Sequence, residues 1–183
     1  MNKKFPLGQG VKVPDGTIVF PFLNPKDSFS DLPWDVLEAF SLSAGEITQG
    51  EKSKIHILLH VTQVTFVLEG TIEICMKDAT SPQPYTLSLN PYEAVLTKPG
   101  TFFQLINAQQ CPCKVLYIVS PAYVYELDDD MNVRYDDAIS LDETWEDLAS
   151  INWAPRQLIN PKNSIHSRNE AYQRLAQAKQ VLK

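Results

Sequence analysis

The sequence is short of basic residues and of glycine. Its 16 lysines and arginines are outnumbered by 22 aspartates and glutamates, which gives a formal net charge of −6. Nucleic acids and anionic membranes both bind basic surfaces, so this balance argues against either as a partner. Only 7 glycines accompany 13 prolines. Proline therefore marks many of the predicted loops.

Long apolar runs are also missing. No stretch approaches the roughly 20 apolar residues of a membrane-spanning helix, and residues 1–16 lack the apolar centre of a secretory signal. The cysteines, Cys75, Cys111 and Cys113, are odd in number and suggest no disulfide framework. We therefore expect a cytoplasmic protein. The Cys-Pro-Cys sequence has no second cysteine or histidine pair to complete a metal knuckle, and it predicts a hairpin turn between strands.

A chain of 183 residues is long enough for one domain with a hydrophobic core and appended arms. Between residues 54 and 125, short runs of β-branched and aromatic residues alternate with turn signals about every 8–12 residues, which predicts a sandwich or small barrel. Residues 17–23 predict an edge strand interrupted by Pro21, because proline cannot donate to a sheet ladder. Residues 34–47 predict a strand that ends at Ala44 and Gly45.

The character of the chain changes after Tyr125. Residues 126–137 are acidic and predict a solvated connection without the glycine and terminal glutamate that an EF-hand needs. Ser140 and Glu143 have the spacing of a capping box and predict the start of a short helix. A last helix is expected over residues 167–182, with one apolar face. We expect the three tryptophans to fasten the arms to the barrel; they are Trp34, Trp145 and Trp153.

Two motifs in the β-rich block resemble those of the cupin superfamily. The first cupin motif begins with a glycine, continues through two histidines and a glutamate, and ends with a glycine. Here Gly50, His56 and Gly70 stand at matching positions, while Leu58 replaces the second histidine and Gln63 replaces the glutamate.

The second cupin motif contains glycine, proline, glycine, histidine and asparagine in that order. Gly100 and Asn107 match its last glycine and its asparagine, whereas the other positions hold Tyr92, Lys98 and Phe103. The resemblance implies an all-β double-stranded β-helix, the cupin jelly-roll barrel, over residues 36–125. An N-terminal arm over residues 1–35 and an acidic linker with short C-terminal helices over residues 126–183 would flank it.

Cupins typically bind Fe, Mn, Ni or Zn through three histidines and one carboxylate. His56 alone remains at these four positions, and neither leucine nor phenylalanine can supply a lone pair. We therefore expect no cofactor. A rearranged metal site on His56 and His60 is the alternative, although His60 is expected in or near the turn that follows, directed away from the cavity.

The substituted positions predict a largely apolar pocket for a small organic molecule, lined by His56, Leu58, Gln63, Thr65 and Phe103. His56 is interpreted either as a core residue hydrogen-bonded to Gln63 or as a catalytic general base. Two further functions stay open. One is an enzyme: a metal-free isomerase, epimerase or cyclase, or a dioxygenase-like protein with a rearranged metal site. The other is a dimeric scaffold or interaction module. The resemblance implies a homodimer in each case.

Overall fold

The computed structural model describes residues 7–23, 40–78, 81, 83–127 and 133–149. These residues form strands and one short helix, which confirms the predicted all-β class. The elements in chain order are β1 Val11–Lys12, β2 Ile18–Leu23, β3 Ser41–Ile47, β4 Ile55–Leu58, β5 Thr62–Glu69, β6 Ile72–Lys77, β7 Tyr85–Leu89, β8 Ala94–Thr97, β9 Phe102–Ile106, β10 Cys113–Ser120, β11 Tyr125–Leu127, β12 Val133–Asp136, β13 Ala138–Leu141 and α1 Trp145–Ala149.

Two antiparallel sheets carry most of the structure. The six-stranded sheet has the order β1-β2-β3-β10-β5-β8, and the five-stranded sheet has the order β13-β4-β9-β6-β7. From β4 to β10 the chain passes repeatedly from one sheet to the other, as in a jelly roll. A separate two-stranded sheet joins β11 to β12. The main sheets thus include β1, β2 and β13, which lie outside the segment 36–125 that carries the motifs.

The core lies between the sheets and follows the alternation of each strand. On β10, Val115 and Val119 are buried while Lys114 and Ser120 are exposed. Successive side chains of a strand point to opposite faces, so one face of each strand supplies the core. The largest fully buried side chains of this core include Leu58, Ile74, Phe103 and Leu105.

A second apolar cluster fixes α1 to the outside of the five-stranded sheet. Leu148 packs with Ile57 and Phe102, and the indole Nε1 of Trp145 donates a hydrogen bond to Gln104 Oε1 at 3.0 Å. Trp145 therefore anchors the C-terminal segment to the barrel, as expected. Trp34, Trp153 and the predicted helix over 167–182 lie outside the described residues.

The start of this helix differs from the prediction. Ser140 lies in β13, where it pairs with His56 of β4, so it cannot serve as a helix cap. The capping box is formed one turn later: the Asp147 amide donates to Thr144 Oγ1, and the Thr144 amide donates to Asp147 Oδ2.

Two predicted strands have different boundaries or neighbours. β2 is not an edge strand, because β1 pairs with its first residues; the irregularity at Pro21 appears as a register shift against β3. β3 continues through Gly45 to Ile47. Gly45 does not end the strand; it makes room for Tyr117 of β10, because a Cβ at position 45 would come within 2.3 Å of the Tyr117 ring. Glycine is therefore required by close packing inside a continuous strand.

Two predicted connections also differ. The Cys-Pro-Cys segment is not a hairpin turn, because β9 and β10, which it joins, lie in different sheets. The acidic segment after Tyr125 is not a simple solvated connection: β11 pairs with β12, and Asp137 is buried. Among the described residues, no helix is long and apolar enough to cross a membrane.

Candidate functional site

A cavity of about 200 Å³ opens at one end of the barrel. Strands of both main sheets line it, together with the β1–β2 connection and residues from β11 to β13. Most of the lining is apolar, with Val19, Leu58, Leu105 and Val119 as examples, and a few polar side chains converge on it. This combination is typical of small-molecule sites.

The predicted pocket residues occupy different places around this cavity. His56, Leu58 and Gln63 line it. Thr65 is fully buried beside Gln63 and accepts a hydrogen bond from Gln63 Nε2 at 3.1 Å. Phe103 packs against the His56 ring with a centroid distance of 4.0 Å. Thr65 and Phe103 thus support the lining residues from behind and are not among the residues that line the cavity.

His56 is held by the backbone. Its Nδ1 lies 2.9 Å from the Lys54 carbonyl oxygen, and because a carbonyl can only accept, Nδ1 must carry a proton. In the neutral imidazole, Nε2 then presents its lone pair. Among the described residues no hydrogen bond joins His56 to Gln63, whose Nε2 donates to Thr65 Oγ1 instead. His60 lies in the turn between β4 and β5, where it is buried and is not part of the cavity lining.

Asp15 is the residue that faces His56. Its Oδ2 lies 3.7 Å from His56 Nε2, while its Oδ1 accepts from the Thr17 amide at 2.9 Å and from Thr17 Oγ1 at 2.8 Å. The Lys54 amide donates to the Asp15 carbonyl at 2.7 Å, which ties the β1–β2 connection to β4. Sequence reasoning missed Asp15. The Asp-Gly-Thr sequence could have indicated it, because an aspartate before glycine favours an Asx-turn, in which the side chain accepts a hydrogen bond from the amide two residues later.

A second carboxyl group, that of Asp136, also lines the cavity. The Tyr123 hydroxyl donates to it, and the Ala138 amide donates to its Oδ1 at 2.9 Å. Burial raises the pKa of Asp136 to about 6. Burial, followed by the nearby charge of Asp136, raises the pKa of Tyr123 well above its ordinary value. Both residues lie beyond the motifs, and sequence reasoning missed them.

Tyr117 is another polar residue of the cavity lining. Its side chain is 7% exposed. Burial raises the pKa of the phenol, and the charge of Asp15 raises it further. Tyr117 lines the same cavity as Asp15 and His56. Asp15, His56 and Tyr117 form the group that we name the acceptor cluster.

No protein-family model matches the chain, and no curated protein matches it. Solved structures do match. The CENP-C cupin domain of Drosophila melanogaster aligns with a TM-score of 0.51 at 13% identity, over 62% of this chain and 75% of that one. Oxalate oxidase aligns with a TM-score of 0.50 at 15% identity, over 62% and 55%. The chain has the cupin fold.

A further match is CapF, solved with the inhibitor 3-isopropenyl-tropolone, with a TM-score of 0.52 at 14% identity over 75% of this chain. This chain spans only about a third of CapF, 34%, and about half of oxalate oxidase, 55%. The cupin structures that match thus include an oxidase and a domain solved bound to another protein, CAL1. At these identities the likeness concerns the fold alone.

The four cupin metal positions lie near one another but do not fit a metal ion. His56 pairs with Phe103 across β4 and β9, and Leu58 and Gln63 line the same cavity as His56. The side chains of Leu58 and Phe103 are hydrocarbons, and that of Gln63 is a neutral amide. Within the described residues, no three histidine, cysteine, aspartate or glutamate side chains are placed to hold a metal. The usual cupin donor set is therefore not available at this place.

Proposed function

We propose that the protein binds a small organic molecule in the cavity at the end of its cupin barrel. The observation that carries this proposal is the cavity of about 200 Å³ with an apolar body and a few convergent polar groups. An apolar cavity of about 150 Å³ is known to admit benzene. The volume therefore suits a molecule built on a single six-membered ring with a small substituent.

Cyclohexanol is a suitable first probe, because it combines such a ring with one polar group. We expect millimolar or tighter binding, measured by calorimetry or by NMR shifts of the cavity residues. Ser43 lies on β3 and lines the cavity, so Ser43→Phe should fill the space and abolish binding. Ser88→Phe makes the same change at an exposed position of β7 and should leave binding intact.

The proposal fails if cyclohexanol does not bind, or if it binds Ser43→Phe as well as the parent protein. Circular dichroism and a thermal unfolding curve for both variants would show that a loss of binding reflects a filled cavity and not an unfolded chain. The homodimer and the cytoplasmic location remain predictions, which sedimentation analysis and cell fractionation can address.

A second candidate is a metal-free acid–base enzyme, favoured by the placement of Asp15 beside His56 Nε2 at 3.7 Å. In this candidate, neutral His56 takes a proton from the carbon next to a carbonyl, leaving an enolate, and Asp15 stabilises the imidazolium that forms.

Cyclohexanone in D₂O tests this proton transfer without a known substrate. Deuterium exchange of its α-protons, followed by NMR, should be accelerated by the protein. Loss of this acceleration in folded His56→Gln is the expected control result, and no acceleration by the parent protein rejects the enzyme.

A further inference from the structure

The charges that line the cavity have one sign. Asp15 and Asp136 contribute carboxyl groups, and no lysine or arginine stands among the described residues of the lining. His56 is the one lining side chain there that can become cationic. Lys54, whose backbone holds His56, directs its own ammonium group to Asp142 on the surface at 2.9 Å. An anionic ligand would therefore meet like charges without a basic partner.

The hydrogen-bonding groups of the cavity also disfavour an anionic ligand, because several of them are acceptors. Asp15 Oδ1 is satisfied by Thr17, whereas Oδ2 has no hydrogen bond from the described residues, since His56 Nε2 at 3.7 Å is too distant. In its neutral form His56 offers a lone pair at Nε2, because Nδ1 donates to the Lys54 carbonyl. The Tyr117 hydroxyl can also accept. The acceptor cluster thus contains three groups that a ligand can satisfy by donating hydrogen bonds.

The acceptor cluster is largely shielded from bulk water. The side chains of His56 and Asp15 are 6% and 12% exposed, so little bulk water screens the carboxylate. A ligand that enters the cavity displaces water from these acceptors, so it binds well only if it supplies donors in place of that water. Aromatic rings from Tyr117, Tyr123 and Tyr125 also border the space. The faces of such rings attract cations.

From these observations we propose that the ligand is a small organic cation, namely a primary ammonium compound whose apolar body fills the cavity and whose N–H groups bond to the acceptor cluster. This rests on the proposed function, because it assumes that the cavity binds a small molecule. An ammonium group has three donors and no acceptor. It therefore matches a cavity lined by several acceptors better than a hydroxyl group, which has a single donor.

Three probes with the same ring separate the possibilities: cyclohexylamine, cyclohexanol and cyclohexanecarboxylate. Binding is measured by calorimetry in phosphate buffer free of amines, at about pH 7.5, where amines remain protonated and carboxylic acids ionised. We expect cyclohexylamine to bind roughly tenfold tighter than cyclohexanol, since charge-assisted hydrogen bonds are about twice as strong as neutral ones. Cyclohexanecarboxylate should bind more weakly than cyclohexanol.

Asp15→Asn removes the charge of the acceptor cluster but keeps the size of the side chain. It should lower the affinity for cyclohexylamine by about tenfold and change the affinity for cyclohexanol by less than about twofold. Asp136→Asn tests the second carboxyl group independently and should also weaken amine binding. Asp142→Asn is the matched control, because its carboxylate is 92% exposed, and it should leave all three affinities unchanged.

The outcomes distinguish this inference from the proposed function. If cyclohexanol binds in the cavity but cyclohexylamine binds no tighter, or if Asp15→Asn and Asp136→Asn leave amine binding unchanged, the cavity binds small molecules but is not selective for cations. A preference for cyclohexanecarboxylate overturns the inference in the same way. If none of the three probes binds, the proposed function and the inference fail together.

Discussion

Two walls of different origin line most of the cavity. The barrel wall comes from β4, β5, β9 and β10, and apart from His56, Gln63 and Tyr117 it consists of aliphatic side chains that continue into the core. The flanking wall comes from residues 11–17, which include β1 and the β1–β2 connection, and from residues 123–138, and it supplies both carboxyl groups, Asp15 and Asp136. Packing therefore depends mainly on the barrel wall, whereas the charge presented to a ligand depends mainly on the flanking wall.

The largest expected effect concerns packing in the barrel wall. Leu58 is 1% exposed and belongs to the core cluster. Replacing it with alanine removes buried methyl groups and enlarges the cavity, so Leu58→Ala should lower the free energy of unfolding by about 2–5 kcal/mol. Urea denaturation followed by circular dichroism measures this change.

Val11 provides the counterpart on the flanking wall. It borders the cavity but is 48% exposed. Val11→Ala should change the free energy of unfolding by no more than about 0.5 kcal/mol. Equal losses of unfolding free energy in Leu58→Ala and Val11→Ala would contradict the different roles assigned to the two walls. The flanking wall would then contribute as much to packing as the barrel wall.

The next prediction concerns the pH dependence that Asp136 confers. Burial raises the pKa of its carboxyl from the ordinary 3.8 to about 6, so between these values the folded protein binds more protons than the unfolded chain. Its contribution to stability therefore falls as the pH rises from about 4 to 6 and is constant above that range. The full change is at most about 3 kcal/mol.

Asp136→Asn removes this titration and isolates it from the other groups. The unfolding free energy of the parent protein minus that of the variant should decrease from about pH 4 to pH 6 and then level off. Urea titrations at several pH values measure this difference. A difference that increases with pH would mean that the folded protein stabilises the ionised carboxylate, contrary to the effect of burial.

The motif positions of the barrel wall could be predicted from the sequence because they are local. His56, Leu58 and Gln63 lie on or between adjacent strands, so the motif spacing and the alternation of strands place them around one cavity. Alternation alone could not separate lining residues from those behind them. Thr65 and Phe103 both point into the barrel, but Gln63 covers the first and the ring of His56 packs on the second.

The flanking wall could not be predicted, because long-range pairing brings it to the site. The Lys54 amide donates a hydrogen bond to the Asp15 carbonyl, and this contact holds Asp15 beside His56. No feature of the sequence near residue 15 predicts the contact. The helix start illustrates the same limit. Ser140 and Thr144 both open a capping-box pattern, and the pairing of β13 with β4 decides between them.

A third prediction tests how tightly β3 packs against the Tyr117 ring of the barrel wall. A Cβ at Gly45 would lie 2.3 Å from the Tyr117 ring, so Gly45→Ala must displace that ring towards the cavity. We expect a loss of about 1–3 kcal/mol in the free energy of unfolding, together with weaker cyclohexanol binding, both measured on the same preparation. Gly50→Ala is the contrasting variant. Its φ of 71° disfavours alanine, but nothing lies within 4 Å, so it should lose stability by about 1 kcal/mol and bind normally.

The smallest expected effect concerns Asp15 and the fold. Asn can still accept from the Thr17 amide and hydroxyl, the bonds that Asp15 Oδ1 makes. Asp15→Asn should therefore change the free energy of unfolding by less than about 0.5 kcal/mol, whereas Asp15→Ala, which loses both bonds, should lower it by about 1–2 kcal/mol. Urea denaturation of the two variants gives both values. A large loss in Asp15→Asn would mean that the charge itself stabilises the fold, through His56, and it would remove the reason to assign that charge to a ligand.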